Sequence, residues 1–508
     1  MHSIHDHLRR EWVAFRRPGR LIALTAAALA VIAVGLLSAS GTHSSCPDGP
    51  CPTDPAAADG STVSDRFYFL HRDLGRNGSI TVRMTSMTGT ITYPPPDHDE
   101  IVSALVPWAK AGIIVKDGVQ QGSAYAALMM TGSHGVRMQY DYRHDIAGSP
   151  GTAADVSATS PRWLRLTRSG DTITGYESTD GNRWSTVGTA KLEGLPETVR
   201  VGLFATSPGD LTLRPVALGG AIEESRFTQA TGVFDNIRVN GPAGGPWRSA
   251  AVGEMNHTDW EKHHNASGVV ETNGTIRISG TGDIGPVPTE GARTIENTII
   301  GLIVALVVVI VVAARFGTAG YGRGQAVQPA RRTLAARAIV VATAGFVTGL
   351  VAVGATIPAG IAILTSNGVP VQEISLLTGV RVVAGLAVVL ALAAVLALAL
   401  GALLRRGWLA VLVAVSGIAL PYAITALPLL PDGVAQWLLR LTPAAGFAVQ
   451  QTHVEYPQVV AHYAPSAGYF PLPGWAGLAV LCTYTTVVLY ASLLRLPSSR
   501  ERHSVDWR

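Results

Sequence analysis

The sequence predicts a multi-pass membrane protein with about six transmembrane helices and one large β-rich domain outside the membrane, between the first and second helix. Three observations predict this architecture. Only 15% of the 508 residues are charged, whereas soluble proteins of this size carry about 25%. Several apolar runs approach the length that crosses a bilayer, and arginines cluster at alternate ends of these runs.

A helix needs about 20 apolar residues to cross the hydrocarbon core. The runs that meet or nearly meet this length are Leu21–Ser38, Thr294–Ala314, Ala338–Ile357, Val382–Leu404, Trp408–Leu427 and Trp475–Leu494. The resulting division of the chain is 1–20 (cytoplasmic amphipathic helix), 21–38 (first span), 39–62 (external stalk), 63–240 (β-sandwich), 241–293 (linker and small β element) and 294–508 (five further spans and a cytoplasmic tail).

Arginine placement predicts the orientation, because positive charge is retained on the cytoplasmic side. Arginines are concentrated in residues 9–20, 315–337, 405–406 and 495–508, which all fall on one side if every run crosses. Both termini are therefore expected in the cytoplasm, and residues 39–293 outside the cell membrane. Lysine is almost absent while Arg, Ala, Gly and Val are abundant, a composition typical of a GC-rich bacterial genome, so the membrane is expected to be that of a bacterial cell. A cleavable signal peptide is the alternative for the first run, and it would also leave the domain outside.

The three cysteines suggest one external disulfide. Cys46 and Cys51 flank a short Pro/Gly turn after the first run, where an oxidising exterior would allow them to pair and stiffen the stalk. Cys482 lies inside the last apolar run and is expected to be a small packed residue.

Residues 63–239 contain short runs bounded by Gly, Asp, Asn or Ser, which is the pattern of a β-sandwich or barrel. In Arg162–Arg168, Leu164 and Leu166 share one face and Trp163 and Arg165 the other. Asp180-Gly181 is expected to form a hairpin turn.

This stretch resembles the concanavalin-like or laminin-G-like jelly rolls of bacterial surface proteins. The resemblance rests on KAGIIVKDG, WLRLTRSGDTITGYESTDGNRW, VRVGLFATS and FDNIRV, and it covers about one third of the chain. It implies a jelly roll that often binds carbohydrate or surfaces. Trp163, Arg165, Tyr176 and Trp184 could stack on sugar rings, or they could pack within the sandwich and brace its hairpin.

Two polar clusters have metal-binding and non-metal interpretations. The oxygens of Asp97–Glu100 could hold calcium, or this tract could be a solvated loop. The stretch with His257, Asp259, His263 and His264 matches no strong zinc spacing and is also typical of a polar linker. No metal or cofactor is predicted. No glycosidase-like carboxylate pair or nucleophile–base motif appears, so the sequence predicts no enzyme.

The membrane half resembles the permease subunits of ATP-binding-cassette (ABC) exporters of the second type, especially actinobacterial ones. The motifs are LRREW (Leu8–Trp12), RRTLAARAIVV after the second run, GALLR (Gly401–Arg405) and QWLLRLTP (Gln436–Pro443), in residues 1–40 and 290–508. The region after the second run reads FGTAGYGRG and lacks the acidic residue common in that family, and the tail lacks the Arg-Arg-Asp ending.

The resemblance implies a dimer, either homodimeric or heterodimeric, that lies in membrane lipid and works with an ATPase. The chain contains no G-x-x-x-x-G-K-[ST], so the ATPase is expected to be a separate subunit. Glu11, Arg323, Arg331 and Arg332 are candidates for the surface that receives its movement. The alternative for each arginine is a simple positive-inside anchor.

Two function classes compete. The first is the transport protein just described. The second is a membrane-anchored carbohydrate-binding or sensor protein whose helices only hold the sandwich. No Asp, Glu, Lys or His lies deep in an apolar run, which argues against a proton-coupled carrier. The arginines cluster at span ends, so no nucleic-acid partner is predicted.

Overall fold

The computed structural model describes residues 4–43, 55–92, 100–150, 156–215, 221–242, 244–253, 266–287, 298–319, 331–369, 371, 374–427, 430–452 and 454–496. Several predictions lie outside these ranges and stay predictions. They concern the Cys46–Cys51 disulfide, Arg323, the acidic residues 97–99 and the histidine-rich residues 257–264.

The helices form two groups, one before and one after the β-rich domain. They are α1 Ile4–Phe15, α2 Pro18–Ser40, α3 Leu302–Thr318, α4 Arg331–Ser366, α5 Leu376–Leu404, α6 Gly407–Ala414, α7 Leu420–Ala426, α8 Asp432–Leu441 and α9 Gly474–Leu494. A π-helical turn, Val415–Ala419, joins α6 to α7 just before Pro421.

Within the described residues, five helical segments are long and apolar enough to cross a membrane: α2, α4, α5, Gly407–Thr425 and α9. The remaining predicted run, which is the second along the chain, corresponds to α3. With 17 residues, α3 is shorter than the five segments just named. The prediction of several apolar membrane helices is therefore confirmed. Helix α4 has 36 residues, about 54 Å at 1.5 Å per residue, so it exceeds a hydrocarbon core of about 30 Å.

The membrane helices share one apolar core. Buried side chains from α2, α3, α4, α5, α6 and α9 belong to a single cluster. Helix α5 lies at its centre, with buried residues from Val382 to Ala402. Helix α1 joins this cluster through Phe15, which is 2% exposed.

Eighteen strands are described between the two helical groups. They are β1 Val63–Asp65, β2 Phe67–Leu74, β3 Asn77–Thr92, β4 Ile101–Ser103, β5 Lys110–Lys116, β6 Tyr125–Thr131, β7 Val136–Tyr140, β8 His144–Ala147, β9 Arg162–Ser169, β10 Thr172–Ser178, β11 Ser185–Lys191, β12 Val199–Thr206, β13 Asp210–Pro215, β14 Ala221–Asn240, β15 Arg248–Val252, β16 Gly268–Thr272, β17 Thr275–Gly280 and β18 Ile284–Pro286.

These strands form a β-sandwich with antiparallel pairing. One sheet has the order β11-β10-β9-β3-β14-β17-β16, with β4 beside β3 and β13 beside β14. The facing sheet has the order β15-β2-β12-β5-β6-β7-β8. Leu164 and Leu166 are buried in the core between the sheets, and Trp163 and Arg165 are only half-buried, so the predicted alternation of β9 is confirmed. Gly181 has φ +74° in the turn between β10 and β11, as the hairpin prediction requires.

Strands β15, β16 and β17 extend the two large sheets rather than forming a separate element. Strand β15 pairs with β2, β17 pairs with β14, and β16 completes that edge. These three strands therefore belong to the same two sheets as the strands that precede residue 240. The sequence concealed this because strand pairing over such distances leaves no local pattern.

A small two-stranded sheet, β1–β18, fastens the chain entering the sandwich to the chain leaving it. Two fully buried lysines at the ends of β5 hold it: Lys110 pairs with Asp283, and Lys116 pairs with Asp65 at 2.7 Å. Burial lowers the pKa of Lys116, although the Asp65 carboxylate opposes that shift. The hydroxyl of Tyr142 also donates to Asp65 at 2.7 Å.

Replacement of Lys116 by Met should destabilise the sandwich by about 3–5 kcal/mol, because it leaves the buried Asp65 carboxylate without its counter-charge. Thermal and denaturant unfolding of the full chain would measure the loss. The matched control is Lys191→Met, which breaks the exposed pair with Glu193 and should leave the free energy of unfolding nearly unchanged. Equal losses in the two variants would contradict the prediction.

Candidate functional sites

The first candidate site is the α1 junction, defined here as Glu11, Phe15, Arg20, Phe316 and Arg337. Phe15 meets the Phe316 ring edge-on, with the centroids 5.3 Å apart. The guanidinium groups of Arg20 and Arg337 lie 4.6 and 5.2 Å from the centre of the Phe316 ring. The buried side of α1 is thus held against α3 and α4, and its other side remains exposed at Arg9, Arg10 and Val13.

An ion pair completes the junction. Arg337 donates from Nε to the Glu11 carboxylate at 2.8 Å, and each side chain is 14% exposed. Arg337 also donates from Nη1 to the carbonyl of Ala319 at 2.8 Å, where the last carbonyls of α3 lack helical partners. One side chain therefore connects α1, the end of α3 and the beginning of α4.

The structure pairs Glu11 with Arg337, which the sequence analysis did not single out, and the described candidates Arg331 and Arg332 lie elsewhere on the start of α4. Arg331 is exposed and donates from Nε to the carbonyl of Leu496, 3.2 Å away, just after α9. Arg332 is also exposed. The sequence analysis missed Arg337 as a site residue. The sequence did contain a signal for this residue. Arg337 directly precedes an apolar run, and Glu11 in the first helix is an acidic residue able to pair with it.

Arginine-bearing helix ends gather at this end of the bundle. Arg337 and Arg331 link the start of α4 to the ends of α3 and α9, and Gly407 at the start of α6 lies against Thr318. The far ends of α2 and α4 meet separately, where Asn367 donates from Nδ2 to the carbonyl of Thr42 at 3.0 Å. The bundle therefore has one end crowded with arginines and a distinct opposite end.

The second candidate site is the outer face of the larger sheet. The strand register places Tyr176 opposite Arg165 and Arg165 opposite Thr81, while Trp163 lies opposite Arg83 in the adjacent row. Four side chains are half-buried on the side that faces away from the core: Trp163, Arg165, Tyr176 and Trp184. The structure thus gathers the four predicted carbohydrate-binding residues, Trp163, Arg165, Tyr176 and Trp184, on one face.

The side chains on this face contact one another and the hairpin turn, which stabilises the turn. The Arg165 guanidinium lies 3.8 Å from the centre of the Trp184 ring, and its Nε donates to Thr81 at 3.0 Å. Gly181 is so close to Trp163 that an added Cβ would lie 2.8 Å from the ring. A sugar stacking on the covered face of Trp184 would have to displace Arg165. The geometry therefore favours bracing of the hairpin over an open stacking platform.

The hairpin turn beside these rings is itself well ordered by hydrogen bonds. The backbone N–H groups of Arg183 and Asn182 donate to one oxygen of Asp180, at 2.8 and 2.9 Å. These bonds, together with the side chain of Arg183, hold the pKa of Asp180 below its ordinary value. Asp180 therefore acts as the anchor of an Asx-type turn.

The described residues contain no group of three or more His, Cys, Asp or Glu side chains able to hold a metal ion. The two predicted metal alternatives fall mostly outside those ranges. Glu100 alone is described from the acidic tract, and it is exposed.

No protein family profile and no curated protein matches the chain. Among solved structures it is similar to SCP-B, a member of the eqolisin family of peptidases in complex with the tripeptide Ala-Ile-His (8% identity, 43% of this chain, 99% of that chain, TM-score 0.25). It is also similar to scytalido-glutamic peptidase with a transition state analog inhibitor (8%, 43%, 99%, TM-score 0.26) and to a functionally unknown protein from Saccharomyces cerevisiae (15%, 41%, 99%, TM-score 0.21).

These matches correct one prediction. The sequence analysis predicted no enzyme, and that exclusion is contradicted because two of the similar structures are peptidases. The motif search behind it tests for local signatures and cannot exclude catalytic groups that only the fold brings together. TM-scores of 0.25 and 0.26 carry no argument that this chain is a peptidase.

Replacement of Arg337 by Gln should weaken the attachment of α1 by about 1.5–3 kcal/mol, because it removes the charge-assisted bond to Glu11 and the cap on α3. Hydrogen exchange of the α1 amides in the full chain would measure this. Arg332→Gln, at an exposed arginine five residues earlier, is the control and should leave exchange unchanged. The same acceleration in both variants would show that loss of positive charge alone explains it.

Replacement of Trp184 by Ala separates the two interpretations of the outer face. Bracing predicts a lower unfolding temperature, since Arg165 loses the ring it covers. Sugar stacking predicts that glycan binding is lost at an unchanged unfolding temperature. Thermal unfolding and a glycan array, both on the full chain, give the two readouts. Arg183→Ala, at a highly exposed position in the same turn, is the control.

Proposed function

We propose that this protein is a membrane-spanning permease subunit of an ATP-binding-cassette transporter, an exporter that works with a separate ATPase. The observation that carries the proposal is the α1 junction at the arginine-rich end of the bundle. A short helix is locked there by Phe15 and Glu11 onto two membrane helices, with its basic side still exposed. Such a helix can pass an applied force to α3 and α4.

The packing of the helices also supports transport over simple anchoring. One helix is enough to anchor a domain, whereas here at least six helical segments share a continuous core around α5. Under this proposal α3 counts as the sixth span, since 17 residues at 1.5 Å each cover about 25 Å. Six spans would form half of a translocation path, so the working unit is a homodimer or heterodimer.

The proposal places both termini and the arginine-rich end in the cytoplasm and residues 39–293 outside the cell membrane. The positive-inside rule supports that orientation. We propose further that the sandwich is a jelly roll of the concanavalin or laminin-G kind, inserted in the first external loop. Its two antiparallel sheets and their shared apolar core support the comparison.

The alternative is a membrane-anchored protein that binds carbohydrate or senses a surface ligand. The gathering of Trp163, Tyr176 and Trp184 on one sheet face is the observation in its favour. The contact of Arg165 with Trp184 and the close approach of Gly181 to Trp163 weigh against it.

The transport proposal predicts that an ATPase copurifies with the full chain and that vesicles containing both take up or release a cargo when ATP is added. The double variant Arg331→Glu, Arg332→Glu should weaken ATPase association about tenfold, or about 1.4 kcal/mol, because it reverses charge on the exposed start of α4. Arg248→Glu, at an exposed position on the edge strand β15, is the control. Absence of any associated ATPase, with vesicles that do not respond to ATP, would refute the proposal.

A further inference from the structure

The segment between α8 and α9 touches the sandwich at two separate points. Gln458 is buried and donates from Nε2 to the carbonyl of Arg143, in the turn between β7 and β8, at 3.1 Å. His462 contacts Glu223 near the start of β14 at 2.7 Å. Residues 458–462 therefore form a joint, named here the interdomain joint, between the helical bundle and the sandwich.

His462 connects carboxylates from the two parts of the molecule. Its Nδ1 lies 2.7 Å from Oε1 of Glu223 on β14, and its Nε2 lies 2.7 Å from Oδ2 of Asp432, the first residue of α8. The imidazole is 12% exposed, whereas Glu223 and Asp432 are 31% and 36% exposed. The ring is thus largely shielded while its partners stay within reach of water.

The chemistry of imidazole makes this arrangement depend on one proton. A carboxylate only accepts hydrogen bonds, so both contacts require an N–H on each ring nitrogen. The imidazolium has both, whereas neutral histidine has one donor and one acceptor. Loss of the proton would therefore set a lone pair of the ring against a carboxylate and break one of the two links.

We propose that protonation of His462 controls the interdomain joint. The charged ring links the β13–β14 hairpin to α8, and the neutral ring releases the hairpin. This inference does not depend on an ATPase. It concerns only how the sandwich is attached to the bundle.

Strand β14 connects the interdomain joint to the centre of the sandwich. It runs for 20 residues from the joint into the larger sheet, where it pairs with β3 on one side and with β17 on the other. A change at Glu223 is therefore applied to a strand continuous with the centre of the sandwich. The Gln458 contact does not titrate, so it serves as the pivot that remains when the histidine link opens.

The charges around the ring favour its protonated form. Burial alone would lower the pKa of His462, but the hydrogen bonds and charges of Asp432 and Glu223 outweigh it and raise the pKa above its ordinary value of 6.5. Among neighbouring charges, Glu224 is paired with Arg214, and Arg440 of α8 is directed to Gln436. The link is therefore complete below pH 6.5 and is lost as pH rises through the raised pKa.

The test measures the distance between the hairpin and the bundle in the full chain in lipid nanodiscs. Spin labels are placed by cysteine substitution at Leu213 on β13 and Leu377 on α5, which are 44% and 82% exposed, after the native cysteines are replaced by Ser. Distances are recorded from about pH 5 to about pH 9, which brackets histidine titration. We expect a narrow distance distribution at acidic pH that broadens with a midpoint above pH 6.5.

His462→Gln should give the broad distribution at every pH, because an amide cannot become a double N–H cation. His144→Gln is the matched control, since His144 is exposed and lies beside Arg143 but outside the joint, and it should keep the wild-type response. If His462→Gln does not fold, Glu223→Gln is measured instead and should also abolish the response. A wild-type distribution independent of pH, or a response that persists without His462 or Glu223, overturns the proposal.

Discussion

Charged groups shielded from water determine how the parts of this chain meet. A shielded charge without a partner is costly, so each one fixes the element that supplies its counter-charge. Arg337 and Glu11 attach α1 to the bundle. In the sandwich, Lys116 pairs with Asp65 where the chain enters, and Lys110 pairs with Asp283 where it leaves. The apolar cores on either side supply most of the stabilisation but little direction, because hydrophobic burial is not directional.

The sequence predicted the local structure well because its signals are local. Apolar runs and flanking arginines identified the membrane helices, and alternation in β9 identified which side chains enter the core. Asp180-Gly181 identified a turn, since glycine accepts the positive φ found there. These features depend on residues within one helix turn or one hairpin, which is the range over which residue type constrains the backbone.

The same reasoning could not find contacts between distant segments. His462 and Glu223 are 239 residues apart, and Arg337 and Glu11 are 326 apart. No periodicity connects such pairs, and each residue alone fits a simpler explanation, a polar loop or a positive-inside flank. The aromatic residues of β9–β11 show the converse. The sequence grouped them correctly, but the contact in which Arg165 covers Trp184 arises only in the folded structure.

The interdomain joint can shift the ratio of docked to released sandwich, but it is too weak to power a movement of the helices. A charge-assisted hydrogen bond contributes about 1.5–3 kcal/mol when buried and much less when exposed. Because Glu223 and Asp432 are about one third exposed, an intermediate value of about 1–2 kcal/mol is appropriate, equal to a 5–30-fold change in the ratio of docked to released sandwich. A change of that size alters a population without supplying work. Any larger movement of the helices must therefore be driven from elsewhere, and the α1 junction, at the arginine-rich end of the bundle, is the attachment through which a partner could deliver it.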